Sequence, residues 1–228
     1  MSTRSITFVT RNRLVRAVAP AGCGLVISLL AACKLAGPPP AEYVLGTSSQ
    51  QLVMSESTSR SQPTTGMPVV LVKRVQLPDY LDRTAMVERR GNQLVPSSTS
   101  RWGERLSVGM TRALASSLAV HLPGMLVTTN PPLEHPARRL YVEVITFESS
   151  AEQQRVILIA RWTITDGSGQ QILMSEQASL RETIAGADGG AVAAAMSQAV
   201  EALAAQVAAG MEAKGQVTSE VEENSSAG

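Results

Sequence analysis

Residues 155–181 read Arg-Val-Ile-Leu-Ile-Ala-Arg-Trp-Thr-Ile-Thr-Asp-Gly-Ser-Gly-Gln-Gln-Ile-Leu-Met-Ser-Glu-Gln-Ala-Ser-Leu-Arg. From Arg155 to Thr165 the apolar positions alternate: Val156, Leu158, Ala160, Trp162 and Ile164 fall on one face. A period of two is the mark of a strand with one face buried. Asp166-Gly167-Ser168-Gly169 is a turn signal. The chain then returns from Gln171 to Arg181 with Ile172, Met174, Ala178 and Leu180 on one side. The stretch is a β-hairpin, and its apolar face needs a covering layer.

The cover comes next in the chain. Asp188 stands where a helix cap belongs, and Val192, Met196, Ala199, Leu203 and Val207 follow at helical spacing with Ala filling much of the rest. An Ala-rich helix packs closely on a sheet. Upstream, Leu140–Phe147 reads as a strand with apolar residues on both sides, and Met125–Thr128 as a short one. Ser100 is a candidate cap for a helix whose stripe is Trp102, Leu106, Met110, Ala113, Leu114, Ser117 and Leu118, stopped by Pro123-Gly124. Ala85–Arg89 and Gln93–Val95 form a second hairpin. Val69–Val75 is a nearly continuous β-branched run, expected to be buried on both faces. Tyr43-Val44-Leu45 is a further short strand. From Val69 onward the order β-β-β-α-β-β-β-β-α predicts an α/β fold: a mixed β-sheet sandwich with two main helices in a single domain, with both apolar strand faces in need of cover.

The 228 residues carry 20 Lys+Arg against 19 Asp+Glu. The formal charge of +1 lacks the basic excess of a nucleic-acid binder. Two Cys exclude a disulfide scaffold and a Cys-rich zinc module. These totals average over an unlike front segment. Arg4, Arg11, Arg13 and Arg16 are followed by an uncharged stretch, Ala17–Ala32, centred on Leu25-Val26-Ile27-Ser28-Leu29-Leu30. That is the layout of a secretory signal peptide. Leu30-Ala31-Ala32-Cys33 then looks like a bacterial lipobox, in which Cys33 carries diacylglycerol and, after cleavage, an N-acyl chain. Cys23, without an apolar run before it, is a poor rival. Lys34 in place of Asp favours sorting to the outer membrane. Cleavage leaves 16 Lys+Arg against 19 Asp+Glu, a formal charge of −3, and one Cys, itself lipidated.

The expected map is therefore 1–32 signal peptide; 33–66 lipidated N-terminus and flexible tether, with a Pro run at 38–40; 67–211 folded domain; and 212–228 disordered tail. No internal repeat is present.

A catalytic constellation is not legible. His121 and His135 have no acidic or Cys partner at ligand spacing. No Gly-x-Ser-x-Gly elbow occurs. Gly186-Ala187-Asp188-Gly189-Gly190 lacks the order of a phosphate loop and reads as a loop with a helix cap. Asp79 and Asp82 are too few for a calcium loop. No metal site, catalytic residue or cofactor is expected beyond the covalent lipid on Cys33. Candidates for partner binding are Tyr80 and Leu81 in the loop turned by Pro78, and Arg74, Arg89, Arg90, Arg155 and Arg161 on strands or hairpins, since Tyr and Arg are frequent anchors. The other reading, Tyr80 tucked into the core and solvated arginines, stays open.

Several segments together resemble a known family. They are the lipobox; Tyr43-Val44-Leu45; Val69-Val70-Leu71-Val72; Leu77-Pro78-Asp79-Tyr80-Leu81-Asp82-Arg83; Arg101-Trp102-Gly103-Glu104-Arg105-Leu106; and Arg161-Trp162-Thr163-Ile164. Over about 33–211 they are similar to paraquat-inducible protein C-like (PqiC-type) lipoproteins, the ABC-type transport auxiliary lipoprotein components. The chain departs from that pattern at Glu42, where a second aromatic is usual, and in a longer insert at 46–66. The resemblance implies a non-enzymatic lipoprotein at the periplasmic side of the outer membrane. It would serve intermembrane lipid transport by docking an MCE-domain protein, with Pro78, Asp79, Tyr80, Leu81, Asp82 and Arg83 as the candidate contact. Homo-oligomeric rings are compatible with it; nucleic acid is not a partner. The alternatives are a module that itself carries a lipid between sheet and Ala-rich helix, and a lipoprotein of another envelope assembly machine.

Overall fold

A computed structural model describes residues 38–46, 66–132, 135–150 and 152–226, with side chains up to residue 213. The signal peptide, Cys33 and most of the 46–66 link lie outside the described residues. Ten elements follow in order: β1 (Ala41–Tyr43), β2 (Val69–Val72), β3 (Ala85–Arg90), β4 (Gln93–Trp102), α1 (Leu106–His121), β5 (Leu126–Thr128), β6 (Arg138–Ser150), β7 (Arg155–Asp166), β8 (Ile172–Thr183) and α2 (Gly189–Ser226).

The sheet is built on β6. Along one edge β6 pairs antiparallel with β7, and β7 in turn with β8, the hairpin read at 155–181. The other edge forks. Its first residues take β2 in parallel, Val70 beside Arg138 and Val72 beside Leu140. Its far end takes β3 through Glu88 and Ser149. β2 carries β5 on its outer side, and β3 carries β4 and then β1. The result is one mixed eight-stranded sheet.

Burial follows the alternation. Val156, Leu158, Ala160, Trp162 and Ile164 are all buried, as are Leu140, Val142, Val144 and Phe147. They meet Met110, Leu114 and Leu118 of α1 and Ala199, Leu203 and Val207 of α2 in one core. The helices pack on each other, α2 against β7 and β8, α1 against β5. The cover is one-sided: on the other face Ile157 and Ile159 stay half-exposed and Arg161 exposed. β7 thus has one open face, whereas β2 is buried on both, as its β-branched run predicts: Val70, Leu71 and Val72 in succession are buried.

Four boundaries differ from the sequence reading. First, Ser100 and Trp102 end β4 and do not begin a helix. Tyr43 pairs with Trp102, the Gly103 N–H donates to Tyr43 O at 2.8 Å, and α1 starts at Leu106. Long-range pairing outweighs a local cap signal here. Second, β2 ends at Val72, although its neighbour keeps pairing irregularly: Gln76 N–H donates to Val142 O at 2.9 Å and Val144 N–H to Gln76 O at 2.8 Å. Third, Ile172 is 66% exposed. The β7–β8 register shifts between Ile164 and Thr165, which turns Ile172 away from the side of Met174. Fourth, the stretch expected as a disordered tail from 212 is helical to Ser226. Glu, Ala, Lys and Gln are adequate helix formers, and no Pro follows Pro136 to stop them.

Two glycines permit the close layers. A Cβ on Gly189 would meet Ser100 Oγ at 2.2 Å, and one on Gly210 would meet Trp162 Cη2 at 2.7 Å and Met174 Sδ at 2.8 Å. Asp188 caps α2 as its sequence position indicates, Oδ1 accepting the Ala191 N–H at 2.7 Å.

Candidate partner-binding surface

The segment from Pro78 to Arg83 is a tight turn between β2 and β3. The Pro78 carbonyl accepts the N–H groups of Leu81 at 2.9 Å and Asp82 at 3.1 Å. Leu81 is 1% exposed and belongs to the core. Tyr80 is half-buried, and its hydroxyl donates to Glu148 Oε1 at 2.9 Å. Asp82 reaches to α1. Its Oδ1 accepts the Ser107 N–H at 3.0 Å and its Oδ2 the Arg105 guanidinium at 2.7 Å. Arg105, at the N-cap position of α1, gives no side-chain cap of its own. The loop therefore supplies the missing acceptor for an orphan helix donor. Pro78 is half-buried, while Asp79 and Arg83 are exposed. The six candidate residues are brought together, but three of them are bound inward.

Glu148 joins this loop to the sheet and was not singled out by sequence, because the strand read as Leu140–Phe147 stopped one residue short of it. It is 8% exposed and takes Arg89 in a bidentate pair, with Arg89 Nη2 to Oε1 at 2.5 Å and Nε to Oε2. The hydrogen bond from Arg89 holds its carboxyl below the usual range despite burial, which acts the other way. The same bond, made to Glu148, raises the Arg89 guanidinium. Burial and the neighbouring Glu148 both push the Tyr80 phenol up. Burial also pushes the Asp82 carboxyl up, and the Ser107 and Arg105 hydrogen bonds outweigh it, so Asp82 lies low.

The arginines divide. Arg89 is spent on Glu148, and Arg90 lies beside Glu88. Arg74 donates to Ser107 Oγ at 3.3 Å. Arg155 and Arg161 stand on the open sheet face. A cleft of about 690 Å³ opens between the chain after β2 and β6, lined by Lys73, Arg74, Leu77, Tyr141 and Arg161 among others. A second, of about 710 Å³, lies between the β3–β4 hairpin and the start of α2, with Met86, Pro96, Ser98, Ile184 and Gly186 in its walls. The space between α2 and the sheet is filled: Ala199, Leu203 and Val207 are at 0% exposure over Trp162 at 1%. Gly189–Ala213 is long and apolar enough to cross a membrane, yet half of its best window is buried in the domain. Among the described residues no group of three His, Cys, Asp or Glu is placed to hold a metal ion.

Comparison with known proteins bears on this fold. A crystal structure of an uncharacterized protein superposes with a TM-score of 0.57 at 21% identity, covering 63% of this chain and 92% of its own. Protein XCC0632 from Xanthomonas campestris superposes with a TM-score of 0.57 at 16% identity, covering 80% of this chain and 97% of its own. At these identities the likeness concerns the fold. No curated protein matches the sequence. The model of the ABC-type transport auxiliary lipoprotein component family matches residues 51–208, which is most of the chain, and the protein belongs to that family.

Proposed function

We infer that the protein is a lipid-anchored periplasmic component on the inner face of the outer membrane, where it docks the MCE-domain protein of an intermembrane lipid transport system. The observation that carries the reading is the family match over 51–208, set beside a lipobox that ends at Cys33. The role is to hold and position, not to catalyse. Cys33 carries diacylglycerol and an N-acyl chain; each buried CH₂ of such chains contributes about 0.8 kcal/mol of membrane affinity. Between Cys33 and the domain the sequence carries a proline run at 38–40, the composition of a semi-rigid tether. A homo-oligomeric arrangement is compatible with this role.

The reading in which a lipid lies between the Ala-rich helix and the sheet meets a filled core at that place. Service to another envelope assembly machine is the reading that the same experiment separates. Membrane crosslinking of the anchored protein, followed by identification of what copurifies, is expected to return an MCE-domain protein. Recovery of outer-membrane protein or polysaccharide assembly factors alone would move the protein to another machine.

A further inference from the structure

The uncovered face of β6, β7 and β8 takes the docking reading further and rests on it. Strand alternation places Arg155, Ile157, Ile159 and Arg161 of β7 on this side, with Arg181 beside Ile157 and Gln177 beside Arg161 on β8. Side-chain bonds confirm the shared side: Thr163 to Ser175 at 3.0 Å, and Arg161 to Glu143 of β6 at 3.3 Å. Both helices pack on the opposite side; on this side Tyr80 and Arg89 close over Glu148 at the far end of β6, while Ile157, Ile159 and Arg161 of β7 keep exposed surface.

Charge on this face is one-sided. Its two acids are already engaged, Glu143 by Arg161 and Glu148 by Arg89. Arg181, and Lys73 in the adjoining cleft, form no ion pair among the described residues, and Arg155 donates to the Gln153 carbonyl two positions before it at 3.4 Å. This basic face sits on a chain whose sequence after Ala32 is net acidic. Apolar groups lie between the cations: Ile157 and Ile159 are half-exposed, and Ile145 emerges at the β6 bulge with 42% exposure. A solvated sheet face is expected to be polar, whereas arginine among apolar residues is the composition of a protein interface. Surfaces that insert into bilayers also carry Lys and Arg, but set them against a face of Trp, Phe or Leu. The aromatic on these strands' open side is Tyr141, and the one nearby lysine is Lys73.

We propose that this face, more than the 78–83 turn, receives the transport partner, and that the partner offers an acidic surface with apolar residues among its carboxylates. The test uses the full-length, membrane-anchored protein and the purified periplasmic domain of the MCE-domain protein. A photocrosslinker at Gln177 is expected to capture that domain, and one at Glu201, exposed on α2, is not. Arg155→Glu with Arg181→Glu should weaken capture about tenfold or more near 0.1 M salt, with the loss shrinking as salt screens the pair. Arg155→Lys with Arg181→Lys should retain capture. The thermal midpoint should hold within about 2 °C in both, because exposed side chains away from special features cost little.

Capture from Glu201 but not from Gln177 would overturn the face and leave the docking function standing. Capture from neither would overturn the face, and absence of any MCE-domain binding by the full-length protein in pull-down would overturn the docking reading itself. Crosslinking of Gln177 to a second copy, or binding of phosphatidylglycerol vesicles as strong as binding of the MCE domain, would overturn the proposal in favour of self-association or a lipid surface.

Discussion

Asp82 shows how a residue chosen for its chemistry turns out to serve the fold. A carboxylate in a Pro-turned loop beside an arginine resembles a recognition element, yet its two oxygens are committed to Ser107 and Arg105. Removing a cap costs about 1 kcal/mol, and for a domain of this size that corresponds to about 2–4 °C. Asp82→Ala is expected to lower the midpoint by that amount in thermal denaturation, with far-UV dichroism of the folded state nearly unchanged. An unchanged midpoint would show that the cap carries no stability.

Glu148 works in the same way with a stronger partner. Hydrogen bonds to charged groups contribute about 1.5–3 kcal/mol each, discounted here because Arg89 is partly exposed. Glu148→Gln is therefore expected to destabilise by about 1–2 kcal/mol, read by urea denaturation. Its folded pKa lies below the ordinary value of 4.5, with the Arg89 hydrogen bond as the first cause. A depressed carboxylate stabilises the fold above its unfolded pKa, and that contribution is lost as pH falls through the folded value. Stability should thus decline below about pH 4.5, and Glu148→Gln should flatten that slope. Tyr80 shares this network, so Tyr80→Ala will lower the midpoint and cannot serve as a clean probe of docking. Arg83→Ala, on an exposed side chain, can.

At the scale of elements, α2 decides the packing of the second layer. Its Ala-rich face lies flat on the hairpin because Gly210 leaves room for Trp162 and Met174. Gly210→Ala would force a Cβ to 2.7 Å from Trp162. Overpacking of this kind costs about 1–3 kcal/mol, although Ala is the better helix former by about 1 kcal/mol. A net loss is expected in chemical denaturation; a stabilised Gly210→Ala would show that Trp162 yields easily. The same layer explains which boundaries sequence reached. The 155–181 hairpin was legible because a local turn and strict alternation agree. The start of α1 was not, because Ser100 is an adequate cap in isolation. Its strand conformation depends on pairing with Ala41 of β1, far away in the chain.

At the scale of the whole molecule, the proposed anchor and the proposed docking face can be tested separately. The lipobox makes one direct prediction: Cys33→Ala should leave the precursor unacylated and mislocalised in membrane fractionation. Normal outer-membrane recovery of that variant would sink the anchor. The domain turns its helices to the core and its arginine-bearing strands to the surroundings, so the proposed binding and the stability are separable by face. Substitutions at Arg155 and Arg181 should alter capture and spare the fold, while those at Leu203 or Trp162 should do the reverse.

Local order along the chain was enough to set the class of fold and the family. Periodicity of two and of 3.6, turn residues and the lipobox are short-range patterns, readable without knowing what lies nearby. The partner surface was not of that kind. Whether Tyr80, Asp82 and the arginines face outward depends on which partner each one meets, and Glu148, Ser107 and Glu143 come from distant strands and a helix. Only the tertiary structure decided that the loop is bound inward while one sheet face remains open. The physical reason is that burial and charge pairing are properties of contacts across the sheet, where residues more than 50 positions apart, such as Tyr80 and Glu148, become neighbours.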